Sequence, residues 1–218
     1  MNTSCAILWD LDGVIVDSAD LHYRSFKIVL ANHGFDFTYE TFLKSFGRNN
    51  DSVLEVSIGR KPEEKLRQDV NFEKEEWYCQ NIPGNLKLFP AAEFWLQWFR
   101  NHQIPQAIAS SAPMENITLS LNEFHLANFF DAVVSGNRIV GKPDPKVFLR
   151  AAAALETAPE KCIVFEDSMA GMQGALAAGM SCITVATTHP IGEFENATIA
   201  LQSLSDLKEE QVLSLIDR

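Results

Sequence analysis

The chain has 218 residues, 46% of them apolar, and carries 29 acidic against 18 basic side chains, a formal charge of -11. This length and composition suffice for a buried core and argue against disorder, while the negative charge disfavours nucleic acid and anionic membranes, which are held mainly by Lys and Arg. No apolar run reaches membrane-spanning length, no leader segment opens the chain, and the four cysteines form no CxxC pair, so a cytoplasmic protein with small buried thiols is expected.

The run Cys5-Ala6-Ile7-Leu8-Trp9 predicts a buried strand, short and uncharged, that ends at the turn Asp10-Leu11-Asp12-Gly13-Val14. Residues two apart on a strand point the same way, so Asp10 and Asp12 project together near its exit. Such a pair suggests a bound cation, a neighbouring lysine, or an acid and base working as a couple. An aspartate-capped turn is the plainer alternative.

Helices are predicted over 20–33, 38–46 and 52–58, with Gly34 placed to stop the first. Pro62 can begin another, and one more is predicted over 72–79 before Asn81-Ile82-Pro83-Gly84-Asn85 breaks the pattern. The region has almost no strand-like alternation and reads as a small helical unit inserted after the first strand. Within it His22 lies one turn past Ser18, so the two can face the same direction; an ordinary partly buried histidine is the alternative. Arg48, in a polar turn with Asn49 and Asn50, could meet a phosphate or sugar, or be solvated. Lys74 belongs to Glu73-Lys74-Glu75-Glu76, a setting in which lysines face solvent beside acidic neighbours.

From Phe89 the pattern changes. Pro90 can start a helix whose Phe94, Trp95, Trp98 and Phe99 form an aromatic stripe suited to core packing. Strands are predicted over 106–109, ending at Ser110-Ser111, then 132–134, 162–165, closed by Glu166-Asp167-Ser168, and 182–185, with a weak strand or loop over 198–201. Helices are predicted from near 113, over 146–154 and 169–178, and from about 207. This alternation argues for a parallel sheet covered by helices on both faces, a Rossmann-like α/β fold in which ligands bind at the carboxyl ends of the strands. The polar residues fall at those ends. Gly141-Lys142-Pro143-Asp144-Pro145 adds a lysine on a stiffened turn, fit to neutralise an aspartate and a phosphoryl group together.

Taken in order, Asp10-Leu11-Asp12-Gly13-Val14, Ser110, Lys142 and Glu166-Asp167-Ser168 resemble the four motifs of the haloacid dehalogenase superfamily, in its beta-phosphoglucomutase-like phosphatase and phosphomutase branch. The resemblance implies an α/β core of residues 1–16 and 88–218 and an inserted helical cap of residues 17–87. It implies Asp10 as nucleophile, Asp12 as acid and base, and Ser110 and Lys142 on the phosphoryl oxygens. Mg2+ is implied on Asp10, the main-chain carbonyl of Asp12, and Asp167, with Glu166 beside it. For the cap it implies hinge, closure and substrate roles for Ser18, His22, Arg48 and Lys74, with Ser111 also at the substrate. The expected activity is a Mg2+-dependent phosphatase for a small phosphorylated metabolite such as a sugar phosphate, in a monomer or weak homodimer. A beta-phosphoglucomutase-like mutase and a noncatalytic phosphometabolite sensor are the alternatives.

Overall fold

The computed structural model describes residues 5–45 and 47–216. Its elements in chain order are β1 (Ala6–Trp9), β2 (Val16–Asp17), α1 (Ala19–Asn32), α2 (Tyr39–Ser45), α3 (Asn50–Ile58), α4 (Glu64–Asn81), β3 (Lys87–Leu88), α5 (Ala92–Asn101) and β4 (Gln106–Ser110). These are followed by α6 (Met114–Glu123), β5 (Ala132–Ser135), α7 (Lys146–Ala154), β6 (Cys162–Glu166), α8 (Met169–Ala177), β7 (Ser181–Val185), β8 (Ile199–Leu201) and α9 (Glu209–Ile216). The predicted helix over 38–46 reaches Phe46, which lies outside the described residues.

Among the described residues, β1 lies inside a six-stranded sheet of order β5-β4-β1-β6-β7-β8, and every pairing in it is parallel. A central parallel strand has helices on both faces, which is why all four residues of β1 are apolar and buried. Ile7 and Trp9 enter one core with the aromatic face of α5, while Ala6 and Leu8 enter the opposite core with Phe148 of α7 and Met172 of α8. Trp9 stacks on Phe165 at 4.1 Å between ring centroids, and its Nε1 donates to Gln106 Oε1 at 3.0 Å, so the buried indole is also satisfied. Trp95, Trp98 and Phe99 pack inward as the stripe predicts; Phe94 is exposed.

The chain builds the sheet outward from β1 through β4 to β5, then returns to β6 and continues to β8 on the other side. That reversal opens a crevice at the carboxyl ends of β1, β4 and β6. Helices α1 to α4 form a cap domain with its own apolar cluster, which includes Phe26, Leu30, Phe42 and Leu54.

Two features of the cap differ from the expectation. The stretch read as two helices is the single helix α4, whose buried positions Val70, Lys74 and Tyr78 are four residues apart. A charged residue occupies the middle of that buried stripe, so the apolar period was broken in sequence although the helix was not. The region is also not free of strand: Val16–Asp17 pairs antiparallel with Lys87–Leu88. Two residues a side are too few to show alternation, yet they tie the cap's two connections together.

Candidate active site

The turn after β1 sets the geometry. Asp10 is buried, with its N–H donating to Phe165 O at 2.9 Å, and Gly13 takes φ +85. A Cβ on Gly13 would lie 1.9 Å from Asp167 Oδ2, so glycine is required there for both conformation and space. Gly13→Ala is therefore expected to cost about 1–3 kcal/mol from the backbone alone and to displace Asp167. Chemical denaturation together with Mg2+ titration checks both parts; an unchanged midpoint and unchanged Mg2+ affinity would refute it.

Lys142 reaches this turn from the β5–α7 connection and is fully buried. Its Nζ lies 2.5 Å from Glu166 Oε1 and 3.1 Å from Asp10 Oδ1. Glu166 Oε2 accepts the N–H groups of Asp167 and Ser168 at 2.9 and 3.0 Å and the Ser168 hydroxyl at 2.9 Å. Glu166 thus anchors both the lysine and the turn into α8. Asp167 Oδ2 lies 2.6 Å from Thr188 Oγ1 and 3.4 Å from Thr187 Oγ1. These threonines follow β7 and escaped the sequence reading, although the rule that ligands gather at strand ends covers them.

The side chains of Asp10, Glu166 and Asp167 bring one oxygen each to within 4.8 Å of one another. Asp167 Oδ1 is buried without a hydrogen bond, and such an atom is costly unless something completes it; Asp10 Oδ1 meets the Lys142 ammonium at 3.1 Å. An all-oxygen set of three carboxylates facing one ammonium suits a hard divalent cation such as Mg2+. Burial pushes the Asp10 carboxyl up to about 8; Lys142 opposes this, and Glu166 and Asp12 add to it. Desolvation outweighs the attraction of the ammonium, so the presence of Lys142 does not bring Asp10 back down. Asp167 is likewise raised, by burial first and then by Glu166 and Asp10.

A consequence for stability follows from the sign of these shifts. Between the ordinary carboxylate range and about pH 8, folded Asp10 holds more protons than unfolded Asp10, so stability without Mg2+ falls as pH rises through that window. Thermal unfolding is expected to show a larger stabilisation by Mg2+ at about pH 8 than at about pH 5. Equal shifts at both would contradict the assignment.

The Asp12 side chain is aimed toward the cap, where Ser18 Oγ donates to its Oδ1 at 2.6 Å and His22 Nε2 lies 3.4 Å from the same oxygen. Burial alone would raise the Asp12 carboxyl, but the His22 charge and the hydrogen bonds from His22 and Ser18 outweigh it and hold the group below the usual range. The His22 ring stacks on Tyr78 at 4.1 Å. Ser18 and His22, whose spacing allows them to face the same direction, meet on one carboxylate.

Ser110, at the end of β4, is buried, and its Oγ accepts the Ala112 N–H at 3.1 Å. Ser111 Oγ donates to Gly47 O at 3.0 Å, so this residue joins core to cap. A cavity between the two domains is lined on the core side by Asp10, Asp12, Ser110 and Ser111 and on the cap side by His22, Arg48, Asn50 and Lys74. Arg48 is exposed and lines the rim; Lys74 does not face solvent as its acidic neighbours suggested but is 0% exposed.

A capped α/β fold with clustered carboxylates that suit a divalent cation, a buried lysine and a cavity at the strand ends is the arrangement of a hydrolase. Residues 7–185 match the haloacid dehalogenase-like hydrolase family, and the chain belongs to it. It is 26% identical over 216 residues to the phosphorylated carbohydrates phosphatase of Thermotoga maritima, covering 97% of each chain. It is 29% identical over 215 residues to the beta-phosphoglucomutase of Bacillus subtilis, covering 94% of this chain and 92% of that one. The crystal structure of beta-phosphoglucomutase from Clostridium difficile superposes with a TM-score of 0.87 at 25% identity, over 97% of this chain and 96% of that one. Among the described residues no helix is long and apolar enough to cross a membrane.

Proposed function

We propose that the protein is a phosphatase for a small sugar phosphate, working through an aspartyl-phosphate on Asp10. The observation that carries this reading is the cavity in which Asp10, Asp12 and Ser110 face His22, Arg48 and Lys74 of the cap. The antiparallel pairing of Val16–Asp17 with Lys87–Leu88 supports taking residues 17–87 as the cap and 1–16 with 88–218 as the core.

In the first step an Asp10 carboxylate oxygen bonds to phosphorus as the ester oxygen leaves with a proton from Asp12. In the second, Asp12 takes a proton from water, the water oxygen bonds to phosphorus, and the Asp10–phosphorus bond breaks to release phosphate. His22 Nε2 lies 3.4 Å from Asp12 Oδ1 and Ser18 Oγ 2.6 Å from it, so both cap side chains orient the carboxyl that passes the proton. Ser110 and Lys142 bind the phosphoryl oxygens. Asp10, Asp167 and the main-chain carbonyl of Asp12, with Glu166 alongside, would hold Mg2+, which supplies positive charge against the phosphoryl group. Arg48 and Lys74 contact the organic part of the substrate.

A mutase is the second reading, favoured by the likeness to the two beta-phosphoglucomutases. Phosphate release from a panel of sugar phosphates and other phosphoesters, with and without Mg2+, tests the proposal while hexose phosphate isomer conversion is followed in the same samples. Selective Mg2+-dependent release supports the phosphatase. Isomer conversion with little release replaces it by the mutase, and silence in both refutes turnover altogether.

A further inference from the structure

Behind the cap wall of the cavity sits a carboxylate for which the phosphoryl chemistry has no use. Glu75 Oε1 accepts from Lys74 Nζ at 2.8 Å and from Asn50 Nδ2, and Glu75 Oε2 accepts from Asn116 Nδ2 at 2.5 Å. Lys74 and Asn50 line the cavity from α4 and α3, and Asn116 is a buried residue of α6 in the core. The other end of the Asn116 amide is also engaged, since Cys79 Sγ donates to its Oδ1 at 3.2 Å.

The Lys74 ammonium lies 5.2 Å from the Phe26 ring centre and 4.7 Å from that of Tyr78, with no exposed surface. A buried ammonium needs a paired anion as well as aromatic faces, and Glu75 is that anion. Burial alone would raise the Glu75 carboxyl; Lys74, with Asn50 and Asn116, holds it below the ordinary range. Two of the three donors on this carboxylate travel with the cap and one belongs to the core. The bond to Asn116 can therefore exist only while the cap is seated.

We propose that Glu75 is a positioning residue that aims Lys74 and Asn50 into the cavity and, through Asn116, latches them to the core when the cap is seated. The inference rests on reading the cavity as a phosphate-ester site.

Cys79 supplies a native reporter, because it contacts Asn116 and is partly buried whereas Cys5, Cys162 and Cys182 are buried. Asn116→Asp keeps the shape of the side chain but sets a second anion against Glu75. The added charge raises the Cys79 thiol pKa and by itself slows labelling, so faster labelling reports opening of the latch. With an aromatic disulfide reagent, Cys79 is expected to react at least about tenfold faster in this variant than in the wild type. In both Asn116→Asp and Glu75→Gln, kcat/KM for p-nitrophenyl phosphate, whose ring must lie beneath the cap wall, is expected to fall at least about tenfold. For acetyl phosphate, which ends short of that wall, it is expected to change less than about threefold.

Unchanged labelling in a folded Asn116→Asp variant overturns the latch, and equal losses on both esters overturn the positioning role. Asn116→Ser, a donor too short to reach Glu75, replaces Asn116→Asp if thermal melting shows that the latter does not fold. If the wild type hydrolyses neither ester, the phosphatase reading fails, and thiol labelling alone still decides the latch.

Discussion

Asp12→Asn is expected to lower turnover by about a hundredfold to ten-thousandfold, the usual worth of a positioned acid and base, while leaving the affinity for inorganic phosphate unchanged. The amide has the size of the carboxylate and its oxygen can still accept the Ser18 hydroxyl at the observed 2.6 Å. What it cannot do is hold a proton for the leaving oxygen or take one from water. The loss should depend on the leaving group. With acetyl phosphate, whose leaving oxygen needs little protonation, formation of the aspartyl-phosphate survives and its hydrolysis slows, so phosphoenzyme accumulates. Rapid-quench measurement of the phosphoenzyme checks this, and unchanged turnover in the purified variant would remove Asp12 from the mechanism.

Lys142→Met should combine a large stability effect with loss of activity. The ammonium is fully buried against Glu166 and Asp10, and burial, which disfavours its charge, is more than offset by those two carboxylates, so its pKa is raised. Removing it leaves the buried Glu166 carboxylate, 2.5 Å from the ammonium, without its partner, a change worth about 3–5 kcal/mol. It also removes the proposed phosphoryl ligand, for which a loss of about a hundredfold or more in kcat is expected. The two effects can be separated by adding Glu166→Gln to Lys142→Met. The double variant should regain stability in denaturant unfolding, because one stranded charge is gone, and should stay inactive. Full stability of Lys142→Met alone would overturn the stabilising role of this ion pair.

How much of this was legible beforehand follows the range of the interactions. The alternation of short apolar strands with helices gave away the parallel sheet, since each strand carries its burial in its own residues, as Ala6–Trp9 does on both faces. The strand-end rule then located Asp10, Ser110 and Glu166-Asp167 without any distance being known. Lys142 was legible as a lysine on a stiff turn, and its pairing with both Asp10 and Glu166 came from the crossing of β1, β6 and the β5–α7 connection.

The cap was harder because its decisive residues look ordinary in a linear reading. Lys74 lies among glutamates and reads as solvated, yet the packing of α4 against α1 places it over Phe26, with Tyr78 one turn further along α4. Thr187 and Thr188 follow the strand predicted over 182–185, and only the pairing of β6 with β7 brings them to Asp167. Sequence alone determined the layer architecture, the order of the chemical groups and the excess of negative charge, because those depend on local period and composition. Only the tertiary structure decided which charges share a desolvated space, that Asp12 answers to the cap through Ser18 and His22, and that Glu75 meets Asn116 across the domains. Electrostatic energy at a buried site depends on distances of a few ångströms between residues far apart in the chain, and no linear spacing encodes those.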